Sequence, residues 1–324
     1  MTMRRLMLAA VQAALLCLPA QALLAQGLPQ KSITMVVGFA AGGAADTAAR
    51  IIAKKLGDNL GQSIVIDNRP GAGGNIAHQI AATGPTDGSL ILFGPVGPLT
   101  IAPHLMKLPY DPFKDLAPIT MGVNFPNVLV VSAETGIKSF ADFIAYAKKN
   151  PGKLTFASTG PGSASHLAGE LLNVVANIDT AHVPYKGGAP AMQDLVAGRV
   201  ASYYSTFSTA QPFIETGKLI PLASTGPRRL PALPNVPTIA ESGFPGFSAT
   251  NWYAFVASSK VPAPILERWN AELIKVLKAP DVIEQLNKHG LTPLPGTRDE
   301  LGRYMQSEYA TWGRVIRERK ITAE

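Results

Sequence analysis

The feature that most constrains this chain is one design used twice. Residues 33–56, ITMVVGFAAGGAADTAARIIAKKL, read as a buried strand (Ile33 to Val37), a turn of small residues (Gly38 to Ala45) and an amphipathic helix from about Asp46 to Leu56. The design returns as a strand from Leu154 to Ser158, a glycine turn from Thr159 to Gly162 and a helix from Ser163 to Ala176. Strand, glycine turn and helix in that order belong to α/β proteins. The same order builds an anion site. The first amides of each helix lack intrahelical partners and carry the positive end of the macrodipole. Gly42 and Gly43 have no Cβ to keep a ligand from the backbone. The two turns are expected to face each other across a cleft and hold a small carboxylate.

The rest of the chain keeps the alternation. Ser63 to Asp67, Leu90 to Phe93, Asn127 to Val131, Thr180 to Tyr185, Val200 to Tyr204, Leu219 to Thr225 and Asn251 to Ala257 read as strands, most of them followed by helical patterns. Two mostly parallel sheets are expected. Pro109 to Pro118 and Arg228 to Pro237 read as proline-rich loops. The glycine-rich NRPGAGGN, residues 68–75, lacks the G-x-G-x-x-G spacing and the P-loop lysine, so it reads as a structural turn. The tail after Ala263 is helical and closes with a helix opened by a Thr297/Glu300 capping box. Three helices with few strands make no domain alone, so they are expected to pack on the first half.

The start of the chain has the pattern of a secretory signal peptide over residues 1–26. Arg4 and Arg5 precede the apolar run Leu6 to Leu18, and Ala20-Gln21-Ala22 offers an A-x-A cleavage site. Export to the periplasm is therefore expected. The chain's single cysteine, Cys17, lies inside this leader, so the 324-residue chain relies on its core and not on disulfides. Without Arg4 and Arg5 there remain 27 basic and 22 acidic residues. That excess is slight, and no basic stripe suggests nucleic acid.

Several chemistries find no support. His78, His104, His166, His182 and His289 stand apart, without the spacing of a zinc motif. No nucleophile elbow is present. No catalytic residue, metal or cofactor is expected. Asp46 reads equally as a ligand contact or as an acid stabilised at a helix start, where it can pair with Arg50.

The stretches VVGFAAGGAADTAAR, VIDNRPGAGGN, LPYDPFKDLAPIT, FASTGPGSASHLAGELL, AHVPYKGGAPAMQDLVAGRV and LPNVPTIAESGFPGF resemble the solute-binding receptors of tripartite tricarboxylate transporters, the Bug family. They run in family order over nearly all of the chain after the leader. The resemblance implies a two-lobed periplasmic binding protein fold of type II, each lobe a mainly parallel sheet flanked by helices, with the ligand cleft between lobes. Lobe 1 would be 27–125 plus 250–324, and lobe 2 would be 126–249. It implies a monomer that captures a small carboxylate and delivers it to a membrane permease. A sensor, or an enzyme on the same fold using Asp46 or His166 as base, remains the alternative.

Carried over by residue, the resemblance implies ligand contacts from Phe39, Ala41, Gly42, Gly43 and Asp46 in the first lobe. The second offers Ser158, Gly162, Ser163, Ser165, His166, Tyr185 and Ser205. Ser205 stands where relatives commonly carry Asp, which argues against an amino-acid ligand. The run Gly94 to Pro98 replaces small hydroxyl residues, and Pro161 stands where many have Asn. Together they suggest a pocket of low polarity, for a carboxylate with an apolar or aromatic body.

Overall fold

The computed structural model describes residues 28–29 and 32–322. The expected leader lies outside the described residues. Strand β1 (Ile33–Val37), helix α1 (Ala44–Leu60), strand β2 (Ile64–Asn68), helix α2 (Asn75–Thr83) and strand β3 (Leu90–Pro95) follow in order. β1 runs parallel to both β2 and β3. β1 is buried along nearly its whole length, which is why it is apolar but for Thr34 and does not alternate. α1 begins at Ala44, earlier than expected, because the two alanines of the turn are already helical.

β4 (Leu116–Ser132) is the long element on which the two halves meet. Its first part, Leu116 to Pro126, pairs antiparallel with β9, while Asn127 to Ser132 pairs with β7 and β8. The sequence shows only the second part as strand. Pro118 and Pro126 disguise the first; the register shifts at Ile119, beside Pro118, and again at Gly122, while Pro126 pairs with Thr250 at the end of the ladder. The expected loop therefore ends at Asp115.

The second half holds α3 (Phe140–Lys149), β5 (Thr155–Ser158), α4 (Ala164–Ala176), β6 (Ala181–Pro184), α5 (Gly188–Val196), β7 (Ser202–Thr206), α6 (Phe207–Glu215) and β8 (Leu219–Ser224). β5 is parallel to β6 and β7. The chain returns through β9 (Thr250–Ser258) and ends in α7 (Ala263–Leu277), α8 (Pro280–Lys288), β10 (Thr292–Pro293) and α9 (Arg298–Arg319). The main strand order is β2-β1-β3-β9-β4-β7-β5-β6. Each half thus has a three-stranded parallel core, and the antiparallel strands β4 and β9 join the two.

The tail packs as expected, and further. α7 and α8 bury Trp269, Leu273 and Leu286 in one core with β1 and α1. α9 places Leu301, Met305, Trp312 and Ile316 in a second core that also holds Leu167 and Leu171 of α4. The last helix therefore braces both halves. Its capping box forms as read, with Thr297 and Glu300 each accepting from the other's backbone N–H. Among the described residues no helix is long and apolar enough to cross a membrane, and no metal-binding cluster occurs.

Candidate functional site

The two glycine turns face one space, and each packs directly on another loop of the opposite half. Ala40 in the first donates its N–H to the Lys186 carbonyl, in the loop before α5, at 3.3 Å. Backbone packs on backbone across the seam. A Cβ on Gly73 would lie 2.3 Å from the Pro161 carbonyl oxygen, and one on Gly97 would lie 2.5 Å from that of Gly162. Only glycine permits this approach. The loop containing Gly73 is therefore part of the seam and more than a turn.

Behind the seam lies a small cavity of about 20 Å³, room for a water molecule or two. Phe39, Gly43, Ala44 and Ala45 reach it from the first turn and the start of α1. Thr159 and Ser165 reach it from the second turn and α4, and Gly188 from the start of α5. β7 and α6 add Tyr203, Tyr204, Thr206 and Thr209, and the crossing strands add Asn127, Asn251 and Tyr253. The N-termini of four helices, α1, α4, α5 and α6, thus converge on one space. No Lys, Arg, Asp, Glu or His lines it. Positive potential there comes from helix ends and hydroxyl or amide hydrogens. Burial pushes the phenols of Tyr203, Tyr204 and Tyr253 well above the ordinary range, so they stay neutral donors. A larger hollow of about 500 Å³ opens at the surface near Met106, Phe113 and Tyr309, away from these helix ends.

Of the residues expected to touch ligand, Phe39, Gly43 and Ser165 line the cavity. The others stand around it. Asp46 is buried and closes the first turn: its Oδ2 accepts from the Gly42 N–H at 3.0 Å and from Arg50 Nε at 2.9 Å. Burial acts to raise its pKa, but the bonds from Arg50 and Gly42 outweigh it and hold the carboxyl below its ordinary range. Ala41 and Gly42 face outward and are exposed.

The second turn is tied by a chain of hydroxyls. Ser163 caps α4, its Oγ accepting the His166 N–H at 3.3 Å. That Oγ lies 3.1 Å from Ser165 Oγ, which accepts the Thr159 N–H at 3.0 Å. Ser158 Oγ accepts the Gly160 N–H and meets His182 Nε2. The Gly162 N–H donates to His166 Nδ1, so the neutral ring carries its proton on Nε2. Burial, and for His166 the neighbouring His182, push these two imidazoles down to about 3 and about 4. Neither ring lines the cavity. Tyr185 donates to Asp194 at 2.9 Å, and Ser205 donates to the Thr206 carbonyl at 3.0 Å. Both point their hydroxyls elsewhere.

The low polarity expected of the pocket does not follow from the residues cited for it. Gly97 and Pro161 form the seam, and neither they nor the rest of Gly94 to Pro98 line the cavity. The lining carries four hydroxyls from Ser and Thr and two amides beside its aromatic rings. Sequence reading missed Asn127, Thr159, Tyr203 and Tyr253. The Tyr203-Tyr204 pair beside a glycine-poor strand end was the one signal available for it.

Residues 48–321 match the family described as tripartite tricarboxylate transporter family receptor. A protein of Pseudomonas sp. (strain P51), described as a UPF0065 protein in the tcbD-tcbE intergenic region, is 38% identical over 321 residues, 99% of this chain and 96% of that one. Among solved structures, R. palustris Rpa4515 with adipate superposes with a TM-score of 0.88 at 34% identity, over 91% of this chain and 99% of that one. MatC (Rpa3494) from Rhodopseudomonas palustris with bound malate gives 0.85 at 32% identity, over 89% and 99%.

Proposed function

Because the chain belongs to the tripartite tricarboxylate transporter receptor family, we propose that it captures a small carboxylate between two lobes and hands it to the permease of such a transporter. The observation that carries this reading is the convergence of four helix N-termini on one buried cavity that has no charged side chain. A carboxylate completes such a site, because free amides and aligned dipoles supply its donors without the cost of burying a counter-ion. Its carboxylate group is held by the Gly43 to Ala45 amides on one side and by Thr159, Ser165 and the start of α5 on the other. Asp46, Ser158, Gly162, Ser163 and His166 shape those turns from behind.

The lobes are 27–125 with 250–324, and 126–249. The sheet change between Pro126 and Asn127 and the start of β9 at Thr250 support this division. The cavity as it stands has room for a water or two, so the lobes part, take the ligand and close on it with this space widened to hold it, turning about the two crossing strands. The ligand leaves unchanged. The two residues best suited to act as a base are occupied or remote: Asp46 holds Gly42 and Arg50, and His166 is buried outside the cavity. The protein acts as a monomer in the periplasm, exported by its first 26 residues.

A thermal-shift screen of the mature protein against dicarboxylates, tricarboxylates, aromatic acids and amino acids tests the reading. A ligand at 100 times its Kd adds about 2.7 kcal/mol to native stability. One carboxylate class should raise the melting temperature by several degrees. No shift with any carboxylate would overturn the proposal.

A further inference from the structure

Two buried amides at the crossing strands remain incompletely used. Asn127 opens the second part of β4, and Asn251 lies at the start of β9, 124 residues later. Both line the cavity, with 1% and 8% of their surface exposed. Asn251 Nδ2 donates to Asn127 Oδ1 at 3.4 Å. Asn127 Nδ2 and Asn251 Oδ1 are buried and have no partner. Turning both amides over exchanges the roles and leaves the same result, one free donor and one free acceptor side by side. Turning only one would set like atoms against each other. The outcome is therefore independent of how the amides are assigned.

The backbone that carries the pair is well tied. The Asn127 N–H donates to Thr225 Oγ1 at 3.0 Å, its carbonyl accepts the Thr225 N–H at 2.9 Å, and Thr225 Oγ1 donates to the Ala249 carbonyl at 2.8 Å. Asn251 sits opposite Phe125 in the β4–β9 ladder. A buried donor and acceptor left unmatched are costly, and both stand at the cavity.

We propose that the Asn127–Asn251 pair selects the ligand by a hydroxyl on its carbon chain, so that the receptor prefers a hydroxycarboxylate to its deoxy analogue. This rests on the carboxylate reading above and narrows it. A hydroxyl donates one hydrogen bond and accepts another, which matches the two free amide atoms. An ionised carboxylate in the same place accepts only, and it would face the free carbonyl oxygen with no hydrogen between them. A methylene would leave both atoms unmatched. A site built to bond a hydroxyl rejects the analogue lacking it far more strongly than an apolar pocket rejects an extra methylene.

The test is a calorimetric comparison of matched pairs on the mature protein: malate against succinate, 2-hydroxyglutarate against glutarate, and lactate against propionate. The wild type should bind the hydroxylated member of at least one pair about tenfold or more tightly. In Asn251→Leu and, separately, Asn127→Ser, that ratio should fall to within about threefold of unity, the hydroxylated acid losing its advantage as the unmatched amide that penalised the deoxy acid is removed. Equal binding of both members of every pair by the wild type would overturn the inference and leave the carboxylate reading standing. So would an unchanged preference in folded variants. Failure of every carboxylate to bind would overturn both. The wild-type ratio stands as evidence even if one variant does not fold.

Discussion

Gly97 of the first half and Gly162 of the second lie so close that a Cβ on Gly97 would come within 2.5 Å of the Gly162 carbonyl oxygen. The next nearest atom, Ser163 Cα at 3.1 Å, also belongs to the second turn. Gly97 has no left-handed backbone to protect, and the three atoms nearest to such a Cβ all belong to the second half. Alanine there is compatible with parted lobes and incompatible with closed ones. Gly97→Ala should therefore weaken ligand affinity about tenfold or more, as overpacking costs of 1–3 kcal/mol imply. The melting temperature of the unliganded protein should stay within about two degrees of wild type. Calorimetry and thermal melts on the same sample read both quantities.

Asp46→Asn should lower stability by about 1 kcal/mol at pH 7. It removes the ion pair with Arg50 and the negative charge at the start of α1, and Arg50 is exposed enough for solvent to screen part of the attraction. The native pKa lies below the ordinary 3.8. The wild-type advantage is therefore present above pH 3.8 and is lost as pH falls through the native value. Paired melts at pH 7 and pH 3 should show the gap closing.

His78 is fully buried, with Nδ1 donating to the Gly74 carbonyl at 2.9 Å and Nε2 without a partner. Burial pushes its pKa down to about 4. The unfolded chain binds this proton first, so the stability His78 contributes is complete above about pH 6.5 and falls as pH drops from there to 4. The slope is about 1.4 kcal/mol per pH unit. Denaturant melts across that window should show His78→Gln with a flatter pH dependence by about this amount, whatever its absolute stability.

Thr225→Val should cost about 1–3 kcal/mol, because the Asn127 N–H loses its buried acceptor while the side-chain shape is kept. It also unties Asn127 from Ala249 where the chain crosses between halves. Urea melts measure the first effect. A weakened preference for hydroxylated ligands would accompany it.

How much of this was legible depends on how local the signal is. The two strand–turn–helix units and the Thr297/Glu300 box were readable, since each is written within a few consecutive residues. The first part of β4 was not. Pro118 and Pro126 are strand breakers by local rules, and only the partner strand β9 and its register shifts accommodate them. The cavity floor was hidden for a different reason. Asn127 meets Asn251, and Leu129 meets Tyr204, through pairings between strands far apart in the chain. Nothing local in either partner announces the other. The roles of Asp46 and His166 show the reverse limit: the residue types were read correctly as belonging to the turns, but whether they face ligand or brace the backbone depends on side-chain direction.

Closure over a carboxylate is the central claim, and small-angle X-ray scattering tests it most directly. The mature protein should be measured alone and saturated with the carboxylate that most raises its melting temperature. The account predicts that ligand reduces the radius of gyration and brings the curve into agreement with the closed arrangement, and that Gly97→Ala fails to make the change. Tight binding with no change in the scattering curve would contradict it.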